Sequence, residues 1–289
     1  MQIGTATLVP VVEFENHSAA RTLFLPASCQ EELVDHLAWL VPDHYDPVTD
    51  TCFISFHTWL VDTGKHKILV DPCIGNKKHR QMFERGNMLD TPWLERLATA
   101  GVSPEEIDLV ICTHLHLDHC GWNTRLENGR WVPTFPNAQY IMSRVECDYW
   151  QRDPLPAVET FNVGVFADSV QPVIDAGLAI MAEDAHNLIE GLSIVPTPGH
   201  TPGHLGAVLA CGNDGIVFAG DSLHHPMQIV NPAWCPRPSY DEAMALISRR
   251  KLLDLACDEK FLYAPAHFRS PHACRVSRAG QGFQPHWEG

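Results

Sequence analysis

Directly after the apolar run Ile107–Cys112 the chain reads His114-Leu115-His116-Leu117-Asp118-His119, four side chains able to bind a metal ion within six residues. In an extended segment alternate residues face the same side, so His114 and His116 are able to meet one ion. Asp118 and His119 follow where the chain must turn and reach a second position, and Gly121 permits the close turn beyond. A solvated polar loop that merely carries histidines is the competing reading. Three later segments weigh against it, because each is a β-type run ending in a further ligand: Ile194–His200, Ile216–Asp221 and Leu262–His267. Ligands at strand ends are held more firmly than ligands on free loops.

A length of 289 residues suits one large α/β domain or two small ones. With 35 acidic against 20 basic residues the formal charge is -15. Such a balance repels phosphate backbones and argues against nucleic-acid binding, while a pair of divalent cations would offset part of it. The ten cysteines form no C-x-x-C pair and read as reduced thiols of a cytoplasmic protein. No secretory signal is visible between Met1 and Glu15, and no apolar stretch is long enough for a membrane span.

Apolar periodicity predicts an opening strand over Ile3–Phe14 and a helix over Glu31–Leu40, stopped by Pro42. The polar turn Asp62-Thr63-Gly64-Lys65 joins Cys52–Leu60 to Lys67–Val70 as a hairpin. Helices follow at Trp93–Ala100, from Pro104 and at Glu146–Trp150; strands are expected at Ile107–Cys112 and Asn137–Ser143. Residues 151–184 are loop-rich in pattern. Strands at Leu192–Pro196, Ala207–Ala210, Gly215–Ala219 and Phe261–Ala264 surround an amphipathic helix, Asp241–Ala256, and the tail from Ser270 is polar. Strand runs followed by helices favour a layered α/β (α+β) sandwich. The whole, residues 1–289, reads as one domain: an N-terminal strand and helical flap over 1–50, a metal-binding core over 51–270 and a tail over 271–289.

The order His-x-His-x-Asp-His, then Pro198-Gly199-His200, then Gly220-Asp221, then a late His267 resembles the metallo-β-lactamase superfamily, from about Thr51 to His267. The resemblance implies a four-layer αββα sandwich with the site at one edge. It implies two divalent metal ions, zinc first, with manganese, iron or cobalt as alternatives. His114, His116 and His200 would bind one ion, Asp118, His119 and His267 the other, and Asp221 would bridge them. Leu69-Val70-Asp71 matches the early strand-ending Asp that orients such sites. A metal-bound hydroxide would then be the nucleophile, with Asp118 positioning it or taking its proton.

Asp221 stands where antibiotic-destroying lactamases carry a thiolate, and His116 where the diiron flavoproteins carry a carboxylate. Only 22 residues follow His267, which leaves no room for the helical extension of glyoxalase II or the extra domain of the RNA-cleaving branch. The chain is most similar to the branch of quorum-sensing lactonases and methyl parathion hydrolase, through its long N-terminal section, Phe135-Pro136-Asn137-Ala138 and Gly220-Asp221-Ser222-Leu223-His224-His225. Where the lactonases carry a Tyr after the bridging Asp, this chain has His224, a second catalytic candidate able to supply a comparable hydrogen bond. Trp122, Trp150, His225, Met227, Trp234 and Phe268 are candidates for a partly apolar substrate pocket, with core packing as the alternative. The implied reaction is hydrolysis of a lactone, ester or phosphotriester. The alternative on the same fold is a mononuclear iron dioxygenase of sulfur compounds such as persulfides. The expected partner is a small-molecule substrate, without nucleic acid or membrane, and the resemblance points to a homodimer contacting through its N-terminal section.

Overall fold

The computed structural model describes residues 1–152, 155–184, 186–236 and 239–287. It is a mixed α/β structure whose chain divides into two compact units, residues 1–13 with 56–185 and residues 14–55 with 186–289.

One sheet has eight strands, ordered Gln2–Ile3, Ala6–Ala20, Thr51–Asp62, Lys67–Val70, Leu109–Ile111, Gln139–Ser143 and Ala179–Ala182, with Tyr45–Asp46 paired onto Thr51–Asp62; from Lys67–Val70 onward its strands lie within the first unit. The hairpin expected at Asp62–Lys65 is present as the antiparallel pair Trp59↔Val70 to Asp62↔Lys67. The next three pairings are parallel, with Val70, Ile111 and Ile141 in register. Parallel central strands are covered on both faces and so read as continuous apolar runs; Leu109, Val110 and Ile111 are all buried. Because these strands run the same way, the segments leaving them emerge at one sheet end: Asp71, then Thr113–His119, then the helix Arg144–Trp150, whose cap Ser143 accepts from Glu146 N. That carboxyl end is where open α/β sheets place ligands. Two elements here are absent from the apolar pattern: the strand Ala179–Ala182, and a hairpin, Thr124–Glu127 with Arg130–Pro133, turned at Asn128-Gly129, both at positive φ.

The second unit carries a seven-stranded sheet ordered His186–Ile189, Leu192–Pro196, Leu205–Cys211, Asp214–Gly220, Leu262–Pro265, Cys274–Ala279 and Gly282–Trp287. Only Asp214–Gly220 and Leu262–Pro265 pair in parallel, joined through the helix Glu242–Glu259. Asp241 caps this helix by accepting from Met244 N, and Lys260 ends it in the left-handed region. Its buried Leu252, Leu253 and Ala256 join a core cluster with Val217, Tyr263 and Phe268; each leucine so buried contributes about 2 kcal/mol. The polar tail expected from Ser270 is instead the hairpin Cys274–Ala279 with Gly282–Trp287, its outer strand containing Pro285. The predicted helix over Glu31–Leu40 forms as a 3-10 turn, Glu31–His36, followed by one α turn, Leu37–Leu40. This segment buries Leu33 and Leu40, together with Leu25 before it, in a core with Tyr45, Cys52, Met227 and Trp234. No helix among the described residues is long and apolar enough to cross a membrane.

Candidate metal centre

In the first unit the ligand loop is anchored by Asp71. Its Oδ1 accepts from Thr113 N at 2.7 Å and its Oδ2 from Thr113 Oγ1 at 2.8 Å, and Oδ2 lies 3.1 Å from His119 Nδ1. Thr113 Oγ1, having given its proton to Asp71, accepts from His114 Nδ1 at 3.1 Å. With Nδ1 donating, Nε2 is the acceptor nitrogen of the His114 ring. His114 Nε2 stands 2.9 Å from His116 Nδ1, and the rings of His114 and His119 are 4.0 Å apart. Two nitrogens on one tetrahedral zinc are about 3.3 Å apart. Asp118 Oδ2 is 3.6 Å from His119 Nε2, and its side chain, 16% exposed, is the most open of the loop ligands. The loop fits tightly against its neighbour segment: Gly121 N donates to Cys73 O, and a Cβ on Gly121 would stand 1.8 Å from Ile74 O.

In the second unit the ligands sit at strand ends. Asp221 follows Asp214–Gly220, His267 follows Leu262–Pro265, and His200 follows Leu192–Pro196 through Pro198-Gly199. Gly199 has φ +135°, and a Cβ there would lie 2.1 Å from Ala245 N. Asp221 Oδ2 is 3.3 Å from His200 Nε2 and 3.0 Å from His224 Nε2, and Oδ1 is 3.1 Å from His267 Nε2. His267 Nδ1 donates to Ser55 O at 3.0 Å. Asp221 N donates to His204 Nε2 at 3.0 Å, so His204 carries its proton on Nδ1 and gives it to Thr197 Oγ1 at 2.8 Å. Burial pulls His224 down to about 4, against the opposing pull of Asp221.

The donor set therefore fits divalent ions in both units. His114 and His267 each donate from one ring nitrogen, to the Thr113 hydroxyl and the Ser55 carbonyl, and turn the other toward the cluster, the arrangement that orients metal-binding histidines, while Asp71 Oδ2 lies beside His119 Nδ1. Within each unit the candidate ligand atoms are close: His114 with His116, Asp118 with His119, and His200 with Asp221, each pair within 4.8 Å.

The pocket candidates separate. Trp150 packs edge-on against His116 at 5.2 Å and lines a cavity of about 270 Å³. Trp122 stacks on Trp93 at 5.1 Å and donates to buried Glu13, a core position. Met227, Trp234 and Phe268 are core residues. His225 is a fastener: its Nε2 donates to His44 O at 2.8 Å and its Nδ1 accepts from Met227 N. Apolar type alone does not separate core from pocket, which is why these positions looked alike in sequence. The residues that sequence reasoning missed are supports: His204, Glu146, Asn162, and Gln228, whose Oε1 accepts from both His224 N and His225 N. Phe161, also missed, lies 5.1 Å from His116 and lines a cavity of about 500 Å³ with Met82, Trp131 and Val163.

Such a donor set on such strand ends defines a metal-dependent hydrolase. Residues 57–267 match the metallo-β-lactamase superfamily model, and the chain belongs to that superfamily. It is 22% identical over 230 residues to an N-acyl homoserine lactonase of Bacillus cereus, covering 75% of this chain and 83% of that protein. Of a further lactonase from a Bacillus species the chain spans 64% of the length, at 24% identity. Among solved structures it is similar to the hydrolase AbOPH (TM-score 0.80, 25% identity, 100% of this chain and 97% of that one). The dizinc quorum-quenching lactonase AidC shares the fold, with TM-score 0.78 and 21% identity over 100% of this chain and 96% of that one.

Proposed function

We propose that the protein is a dinuclear hydrolase of lactones, esters or phosphotriesters. In this reading His114, His116 and His200 would hold one divalent ion, Asp118, His119 and His267 would hold the other, and Asp221 would be shared between them, with zinc best suited to the imidazole and carboxylate donors. The ions would supply a water acidified toward neutrality and an electrophile for a carbonyl or phosphoryl oxygen. Asp118, the most open loop ligand, orients the attacking water and accepts its proton. His224 donates from Nε2 to Asp221 Oδ2 and fixes the carboxylate. The cavity beside Phe161, with Met82, Trp131 and Val163, favours a substrate with an apolar acyl or aryl part.

The observation that carries the reading is the anchoring of His114 Nδ1 on the Thr113 hydroxyl and of His267 Nδ1 on the Ser55 carbonyl, which turns Nε2 of each ring toward another candidate ligand, His116 in one case and Asp221 in the other. The ten free thiols support a reducing compartment, the cytoplasm. Exposed Leu23, Val34 and Val48 in the N-terminal section are the contact we assign to a homodimer.

The test is metal analysis joined to a hydrolysis panel of lactones, aryl esters and phosphotriesters with zinc, manganese and cobalt. Close to two ions per chain and turnover of one class are expected. A protein that binds no metal, or that consumes oxygen with a persulfide and hydrolyses nothing, would overturn the reading.

A further inference from the structure

We propose that Glu146 and Asn162 are positioning residues that lock the two peptide units between His114 and His116 and so set how tightly this pair takes a metal ion. The inference rests on the metal-centre reading above.

The segment from His114 to Asp118 belongs to no strand or helix, so no ladder supplies partners for its backbone. Buried backbone groups still require them. Leu115, 1% exposed, has both its polar groups taken by side chains from separate elements. Its N–H, part of the peptide that joins it to His114, donates to Glu146 Oε2 at 3.1 Å. Its C=O, part of the peptide that joins it to His116, accepts from Asn162 Nδ2 at 2.9 Å. Both peptide planes between the two histidines are thereby pinned. Glu146 and Asn162 are themselves fully or almost fully buried.

Each anchor also brings an aromatic wall to His116. Glu146 Oε2 accepts from Trp150 Nε1 at 2.7 Å, and the Trp150 ring stands 5.2 Å from His116. Asn162 follows Phe161, whose ring stands 5.1 Å from His116. One element thus fixes a peptide plane and one side of the imidazole, and a second element does the same for the other plane and another side. A ligand pair must be held to about 0.5 Å for productive geometry, and outside any ladder these two side chains fix the peptides that join the pair.

The experiment titrates zinc into chelator-stripped, full-length protein in competition with a chromophoric chelator, with a thermal melt for every variant. Asn162→Asp keeps the size of the side chain but sets an acceptor against Leu115 O, and is expected to lose about tenfold to a hundredfold in zinc affinity. Glu146→Ala is expected to lose as much. Glu146→Gln retains an acceptor for Leu115 N and Trp150 Nε1 and is expected to stay within about threefold of wild type. Val170→Ala, a buried position of the same unit, serves as the stability control. Should Glu146→Ala not fold, the near-isosteric pair Asn162→Asp and Glu146→Gln carries the decision. Wild-type affinity in Asn162→Asp overturns the proposal, as does a loss in Glu146→Gln comparable with Asn162→Asp, or an equal loss in Val170→Ala. Failure of the wild-type protein to bind zinc is a different result and removes the metal-centre reading itself.

Discussion

The two units present their candidate ligands in opposite ways. The first gathers His114, His116, Asp118 and His119 on one loop, where adjacency in sequence makes proximity automatic but leaves the backbone without sheet bonds. Stiffness there comes from side chains: Asp71, Glu146 and Asn162. The second unit spreads His200, Asp221 and His267 over three strand ends, where the sheet fixes most of the backbone; His204, held by Thr197, accepts from Asp221 N, and the Ser55 carbonyl orients the His267 ring. A compact motif needs external clamps, while a dispersed one borrows rigidity from its scaffold.

The largest expected effect tests the first arrangement. Asp118→Ala should lower kcat by about a hundredfold to ten-thousandfold while the melting temperature stays put; steady-state kinetics with a turned-over lactone or ester would check it, and normal turnover would reduce the loop to a scaffold. Next come two equivalent insertions of one methyl group, Gly121→Ala in the first unit and Gly199→Ala in the second. Each meets backbone, and each should cost about 3 kcal/mol in urea denaturation, with Gly199→Ala worse because its φ of +135° adds strain. A tolerated Gly199→Ala would break the claim that the His200 strand end depends on the close fit of Gly199 against Ala245.

The units should also answer pH with opposite sign. In the second, burial holds His44 at about 3 and His225 at about 4, against an ordinary 6.5. Below about 6.5 the unfolded chain binds protons that the folded rings refuse, so stability falls toward acid by about 1.4 kcal/mol per pH unit for each ring until the folded values are passed. In the first, burial raises Glu13 to about 7 from 4.5, with the bonds from Ile74, Trp122 and Gly75 opposing it. Its contribution is full below 4.5 and is lost as pH rises toward 7. Thermal melts from pH 4 to 8 should show His44→Phe flattening the acid side; an unchanged acid limb would remove His44 from the account. The smallest effect is Thr197→Val, which takes the acceptor from His204 Nδ1 and should cost about 1 kcal/mol by chemical denaturation.

What the sequence disclosed follows the same division. The ligand loop was legible because four donors in six residues have no common structural purpose, and the strands Leu192–Pro196 and Asp214–Gly220 because their apolar runs are bounded by turns. Helix Glu242–Glu259 announced itself through its periodic leucines and the Asp241 cap. The hairpin Cys274–Trp287 was hidden by Arg275, Ser277, Arg278 and Gln284, which face outward and make the segment read as a tail. His204 and Asn162 were hidden for a different reason. A support acts through hydrogen bonds to groups far along the chain, Asp221 N in one case and Leu115 O in the other, and no local spacing encodes that. His225, Trp122 and Phe268 show the converse, residues near ligands in sequence whose work is packing and fastening.

Pro285 lies in the rim strand Gly282–Trp287 of the second sheet. A proline lacks the N–H that an incoming strand would use, so this border is a poor template for another chain's backbone. Strand addition to this sheet is therefore steered to its opposite border, His186–Ile189.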